Sequence, residues 1–289
     1  GGRGMRASLQ VSRPYFWLVT VWLYLLPTGQ HLALLRSPTF WLGLVYCTYP
    51  LNLLVYLMND LSDVHVDQHN PRKGGAGTGA KASYHTLRAL VPWAVAVQLP
   101  FLLYFLVRWG AIAAPWLLGV IFVNWLYNYG PRLSSNYPPL DLFCPCGYIL
   151  VVPLSVGLNG VPVPPLRAWV HVLFLVVRTQ LWLETFDLNT DRMAGRRTTA
   201  VVLGMGKAQA MLAVVLAAEL VFVLVCFSDW ALQSFSAASL LLVALQVRFA
   251  SSRDGGNGLS AEAMSRTFLI MGIAGLGLTG QVWVNGGFL

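Results

Sequence analysis

The 289-residue chain is short of charge: 10% of it is Asp, Glu, Lys or Arg, while 56% is hydrophobic. A soluble domain usually carries about 25% charged residues, so a water-solvated fold is excluded for most of its length. Acid is scarcer still, with 11 Asp and Glu against 19 Lys and Arg. Cysteine is limited to Cys47, Cys144, Cys146 and Cys226, and the only close pair is a C-x-C, Cys144-Pro145-Cys146. Without a C-x-x-C the zinc-knuckle and dithiol redox classes are set aside, and the four thiols are expected to pack as small apolar groups. No basic block is present either. The net charge of +8 is scattered over short segments, which argues against a nucleic-acid partner. The N-terminus lacks the basic, apolar, small-residue order of a cleaved leader, and none is expected. The longest polar segments, about 63–85 and 187–207, are too short for a soluble domain. A single membrane domain over 5–289 is therefore expected.

What the chain has in abundance is apolar runs. Stretches at 17–35, 38–58, 86–107, 110–128, 142–159, 166–184, 208–227, 230–247 and 267–284 each approach the roughly 20 residues that a bilayer-crossing helix needs. An all-α, polytopic membrane protein with nine transmembrane helices is predicted. With nine spans, fifteen Lys and Arg fall on the N-terminal side and three, Arg36, Arg108 and Arg167, on the other, with Arg178 inside a span. That asymmetry puts the N-terminus and the loops after the even-numbered spans in the cytoplasm.

The scarce acid is concentrated. Of 11 acidic residues, Asp60, Asp63 and Asp67 end the second span and Glu184, Asp187 and Asp191 end the sixth. A carboxylate at membrane depth costs roughly 2.5–3.5 kcal/mol on insertion scales, so each cluster needs a compensating partner. At about 100° per residue, Asn59, Asp63 and Asp67 form one helical stripe, with Asp60 at its edge. Gln180, Glu184, Asp187 and Asp191 share a face in the same way. Rows of oxygen ligands without His or Cys suit a hard cation such as Mg²⁺, which keeps waters and shares its shell with phosphate oxygens. Basic residues follow each row: Arg72 and Lys73 after the first, and Arg192, Arg196 and Arg197 after the second. Carboxylates followed by Arg and Lys make a layout for gripping a diphosphate through a metal. Simple interfacial anchoring explains the rows less well, because acids at helix C-termini oppose the macrodipole.

These residues resemble a known family. "NDLSDVHVD" (Asn59–Asp67) is similar to the N-D-x-x-D-x-x-x-D signature of the UbiA superfamily of intramembrane prenyltransferases, and "DLNTDRMAGRRTTA" (Asp187–Ala200) to its second signature. The resemblance runs from "SRPYFWLV" (Ser12–Val19) to the last span. It implies a helix bundle around a central, lipid-accessible cavity. It also implies that Asn59, Asp60, Asp63, Asp67, Asp187 and Asp191 carry Mg²⁺ and that Asp63, Asp67, Asp187 and Asp191 are catalytic. Asn59, Arg13, Arg72 and Lys73 would contact the diphosphate of an isoprenyl donor. The family often has Tyr-x-x-x-Lys after the fourth span. Here "YNYGPR" (Tyr127–Arg132) places Pro131 at the lysine position, with Arg132 beside it as the substitute contact. Within the superfamily, "HNPRKGG" (His69–Gly75) looks most like the lycopene elongases.

The resemblance implies a Mg²⁺-dependent transferase that ionises an isoprenyl diphosphate and joins the prenyl group to a lipophilic acceptor, a polyene or an aromatic ring. A terpene cyclase of the same fold, closing a prenyl diphosphate on itself, is the alternative. An ion-coupled transporter would place its acids near the midplane in broken helices, whereas these lie at helix ends beside basic residues. Arg178, nine residues before Asp187, is expected to pair with a buried carbonyl or carboxylate. Asn124 and Asn128 fit interhelical hydrogen bonding and substrate contact equally, and His65 is expected to be solvated. Trp125, Tyr127, Trp182 and Phe186 lie near the acid rows in sequence. Aromatic faces there could steady an allylic cation or simply belong to the interfacial belt.

Overall fold

Proline and glycine decide where the apolar runs break into helices. A computed structural model describes residues 2–68, 70, 73, 79–253 and 261–286, and no strand occurs among them. The helices are α1 (Gly2–Val11), α2 (Trp17–Leu25), α3 (Pro38–Tyr46), α4 (Tyr49–Asp67), α5 (Tyr84–Trp109), α6 (Ala113–Asn128) and α7 (Leu133–Asn136). They continue with α8 (Val151–Asn159), α9 (Leu166–Met193), α10 (Thr199–Leu203), α11 (Met205–Cys226), α12 (Trp230–Arg253) and α13 (Ala261–Asn285). The all-helical fold is as predicted.

Helix length and composition do not confirm the count of nine spans. Among the described residues, six helical stretches are long and apolar enough to cross a membrane: Pro38–Asp67, Tyr84–Trp109, Leu140–Asn159, Leu166–Met193, Met205–Cys226 and Trp230–Arg248. The expected first span, 17–35, is not one helix. α2 stops at Leu25, and 3₁₀ turns at Leu26–Thr28 and Leu32–Arg36 replace its continuation. Pro27 removes a backbone donor there, and Gly29 follows it. α6, the expected fourth span, is 16 residues long. The 25-residue α13 lies where the ninth was expected.

The chain divides into two compact units. The first holds residues 1–130, 147–163 and 282–286. Its core around α4 packs Leu53, Tyr56, Leu57 and Val64 with Val11 of α1 and with Leu87, Leu90 and Ala94 of α5. Leu53, Leu57 and Val64 recur at helical spacing, so one face of α4 is greasy while an adjacent one carries the acids. The second unit holds residues 131–146, 164–281 and 287–289. There Ala208, Leu212 and Leu216 of α11, four residues apart, meet Leu181 and Leu188 of α9 and Ala200 of α10.

Candidate active site

The first acid row lies on the last turns of α4, and cations of the same unit neutralise it. Arg13, held at φ 50 just ahead of Pro14, donates from Nη2 to Asn59 Oδ1 at 2.7 Å and to Asp60 Oδ1 at 2.5 Å. Its guanidinium also covers the Tyr56 ring at 4.2 Å, and the Tyr56 hydroxyl accepts from Tyr148 at 2.6 Å. Lys73 Nζ lies 2.6 Å from Asp60 Oδ1 and 2.8 Å from Asp67 Oδ2. Asp60 and Lys73 are 1% and 4% exposed, so these are buried ion pairs, in which loss of one partner leaves an uncompensated charge. Asp63 is only half-buried; it accepts from Ser62 Oγ at 3.3 Å and from Asn59 Nδ2 at 3.4 Å. Asn59 also donates to Asn128 Oδ1 at 3.0 Å.

The two cations respond differently to this setting. Burial alone would lower the Arg13 pKa, but the charge of Asp60, helped by Tyr56 and Asp67, outweighs it and holds Arg13 above its ordinary value. Burial, reinforced by Arg13, pulls Lys73 below the ordinary lysine value against the opposing charges of Asp60 and Asp67. Gly79 makes the crowding possible. It sits at φ +117, and a Cβ there would stand 2.9 Å from Lys73 Cδ and 3.2 Å from Arg13 Nε. A side chain is excluded both by that conformation and by the space. Arg72 lies outside the described residues.

The second acid row is on α9. Asp191 is buried and its Oδ1 accepts from Arg196 Nη1 at 3.3 Å. Asp187 is half-buried. Glu184, which the periodicity grouped with these two, is engaged elsewhere. Its Oε1 accepts from Gln180 Nε2 at 3.0 Å and its Oε2 from the Ala200 backbone N–H at 3.2 Å. Arg132 lies in the second unit, half-buried at φ 51 at the start of α7.

The remaining candidates are placed as follows. Arg178 Nε lies 3.0 Å from Glu219 Oε2 of α11 and covers the Phe235 ring at 5.3 Å, with His171 Nδ1 3.6 Å from the same carboxylate. Asn124 and Asn128 each donate to a carbonyl one turn back on α6. His65 is exposed. Trp182 and Phe186 are buried and stacked with centroids 6.1 Å apart, whereas Trp125 is exposed. Two buried acids escaped the sequence reading, Glu219 and Asp141. Asp141 accepts from Thr199 N at 2.5 Å and Thr199 Oγ1 at 2.6 Å. The available signal was a lone carboxylate in the apolar run "PPLDLF".

The donor chemistry of the first row suits a hard divalent ion. Asn59, Asp60, Asp63 and Asp67 offer only oxygen and amide ligands. Asp60 Oδ2 is buried without a hydrogen-bond partner while Oδ1 takes both cations. Among the described residues no three acidic, His or Cys side chains converge as a closed cage.

Comparison with known proteins places the chain among relatives. It is 30% identical over 211 residues to a lycopene elongase/hydratase of Corynebacterium glutamicum, covering 69% of this chain and 70% of that protein. It is 31% identical over 212 residues to a lycopene elongase/hydratase of Halobacterium salinarum, covering 69% and 72%. Among solved structures, a UbiA homologue from Archaeoglobus fulgidus bound to GPP and Mg²⁺ superposes with a TM-score of 0.66 at 18% identity, covering 96% of this chain and 99% of that one. A second structure of an Archaeoglobus fulgidus UbiA homologue, bound to DMAPP and Mg²⁺, gives 0.65 at 18% identity, covering 96% and 98%. No family model matches the chain.

Proposed function

Because the chain belongs to the lycopene elongase/hydratase family of the UbiA superfamily, we propose that it is a Mg²⁺-dependent prenyltransferase that joins an allylic isoprenyl group to a lipophilic polyene acceptor within the bilayer. The observation that carries this reading is the row Asn59–Asp67 with Arg13 and Lys73 built into it. Cations built into a row of carboxylates suit a metal-bound diphosphate, whose oxygens take charge-assisted hydrogen bonds.

In this reading Asn59, Asp63, Asp67, Asp187 and Asp191 hold Mg²⁺ and the diphosphate, with Asp60 positioning the basic groups. When bound, Mg²⁺ neutralises charge developing on the leaving diphosphate. Arg13, Lys73, Arg72 and Arg132 would be the basic contacts of the diphosphate. The allylic C–O bond breaks and its electron pair leaves on the diphosphate. A π bond of the acceptor supplies the pair for the new C–C bond, and the product cation loses a proton to the released diphosphate. Transfer requires that water be kept from that cation.

The reading also sets an orientation. Tags near Gly77 and Arg197 are expected in the cytoplasm, from the distribution of Lys and Arg; protection of either tag in intact cells would reverse it. The activity is tested with dimethylallyl diphosphate, Mg²⁺ and a long polyene. Consumption of the donor is expected only when the polyene is present, with a product containing both. A longer prenyl diphosphate converted alone to a cyclic hydrocarbon or alcohol, indifferent to added acceptor, would replace the transferase reading with a cyclase.

A further inference from the structure

Five consecutive residues after the second acid row are each tied down. The Arg196 N–H donates to Asp191 O at 2.9 Å, and the Arg197 N–H donates to Ser135 O at 2.7 Å. Thr198 caps α10 by accepting from the Val201 N–H at 3.4 Å. Thr199 gives both its N–H and its hydroxyl to Asp141, at 2.5 and 2.6 Å. The Ala200 N–H goes to Glu184 at 3.2 Å. Two of the acceptors are carboxylates, from the segment before α8 and from α9, and they are 0% and 3% exposed. A buried carboxylate is costly unless its hydrogen bonds are made, and each of these two takes one main-chain N–H from that stretch, beside the Thr199 hydroxyl on Asp141 and the Gln180 amide on Glu184. Neither residue follows the metal-ligand pattern, and Glu184 is turned from the row that its spacing predicted.

We propose that Asp141 and Glu184 are positioning residues that hold segment 196–200 as a strap and so fix where Arg196 and Arg197 present their charges. Asp141 grips the strap by two bonds, one to the backbone and one to the Thr199 side chain. Glu184 grips the next residue and is itself steadied by Gln180. The Arg196 side chain, returned to Asp191, sets the other end. The catalytic consequence rests on the diphosphate reading above: strap position governs donor binding. The mechanical consequence does not depend on that reading.

The test uses the full chain in detergent and two readouts. Limited trypsin digestion, followed by fragment mass, reports opening of the strap as cleavage after Arg196 and Arg197, with cleavage after the exposed Lys81 as internal control. Loss of one hydrogen bond to the strap, as in Glu184→Ala, is expected to raise strap cleavage by up to about tenfold relative to Lys81. Asp141→Ala, which loses two, should raise it further. Glu184→Gln and Asp141→Asn keep an acceptor oxygen and should restore protection. If Asp141→Ala does not fold, Thr199→Val removes only the hydroxyl bond and should give a smaller increase in cleavage. The second readout is calorimetric binding of inorganic pyrophosphate with Mg²⁺, together with donor kinetics. The alanine variants should weaken pyrophosphate binding and raise KM for the prenyl diphosphate by about tenfold, with kcat within about threefold. Unchanged cleavage in both alanine variants overturns the strap. An opened strap with unchanged pyrophosphate binding and KM overturns its positioning role. A protein that turns over no prenyl diphosphate, yet shows the expected cleavage pattern, refutes the enzymatic reading and leaves the strap standing.

Discussion

The two acid rows solve the same problem by different means. In the first unit, the buried carboxylates of α4 are met by side-chain cations: Arg13 and Lys73 converge on Asp60, and Lys73 also reaches Asp67. In the second, the buried Glu184 and its neighbour in the fold, Asp141, are met by backbone N–H groups and a hydroxyl. A charge met by a charge is stabilised strongly but leaves its partner stranded when removed. A charge met by amides organises main chain, and its removal leaves only neutral donors behind. The first row therefore carries buried counter-ions against Asp60 and Asp67; in the second, Asp191 keeps a longer contact with Arg196, while Glu184 and Asp141 beside it hold the segment that follows. In both rows one acid, Asp63 or Asp187, is only half-buried.

The largest expected effect falls on those two residues. Asp63→Ala and Asp187→Ala should each lower turnover of dimethylallyl diphosphate by several orders of magnitude, on the order of 10³ or more, since stabilising leaving-group charge is usually the dominant catalytic term. The protein should still insert and bind detergent as the wild type does. Chelation with EDTA should reproduce the loss and added Mg²⁺ reverse it. Near-wild-type turnover in either variant would show that its row is structural.

Stability distinguishes the two kinds of compensation. Asp60→Ala leaves buried Arg13 without its carboxylate and Lys73 with Asp67 alone, and should cost about 3–5 kcal/mol. Asp141→Ala leaves an N–H and a hydroxyl unmatched and should cost less, about 1–3 kcal/mol. Denaturant titration of both variants in one detergent compares them directly. If Asp141→Ala proves the more damaging, the distinction between ionic and amide compensation does not hold here.

Gly79→Ala probes the crowding around the first row. The left-handed backbone costs a residue with a Cβ roughly 1–2 kcal/mol, and Lys73 must also shift. The midpoint of denaturation should fall by less than in Asp60→Ala, and KM for the donor should rise. A Gly79→Ala variant with unaltered stability and KM would mean that Lys73 and Arg13 can rearrange freely without loss.

Spacing made the rows themselves legible. Asn59, Asp63 and Asp67 lie four residues apart on one helix, and the pattern is local. What stood opposite them was not local. Asp141 meets Thr199 across 58 positions, and neither residue carries a pattern that names the other. Lys73 was legible as a basic neighbour of the row but not as a partner of Asp60, because the two lie 13 positions apart, outside any helical spacing. Arg178 was expected to find a buried partner, but Glu219 lies on another helix and could not be singled out. The first apolar run misled because hydropathy does not register what Pro27 does to the backbone. Its residues are as greasy as a spanning helix, yet the hydrogen-bond ladder ends at Leu25.

The Arg178–Glu219 pair has a consequence for how the chain is made. Arg178 lies near the middle of α9 and Glu219 on α11, and they are 2% and 0% exposed. Each charge alone would resist release into lipid, and together they enter as a neutral couple. α9 emerges from the ribosome first and carries an unbalanced arginine until α11 has been synthesised. The two helices should therefore leave the insertion machinery together, and truncating synthesis after α9 should leave that helix retained there or slipped towards the interface.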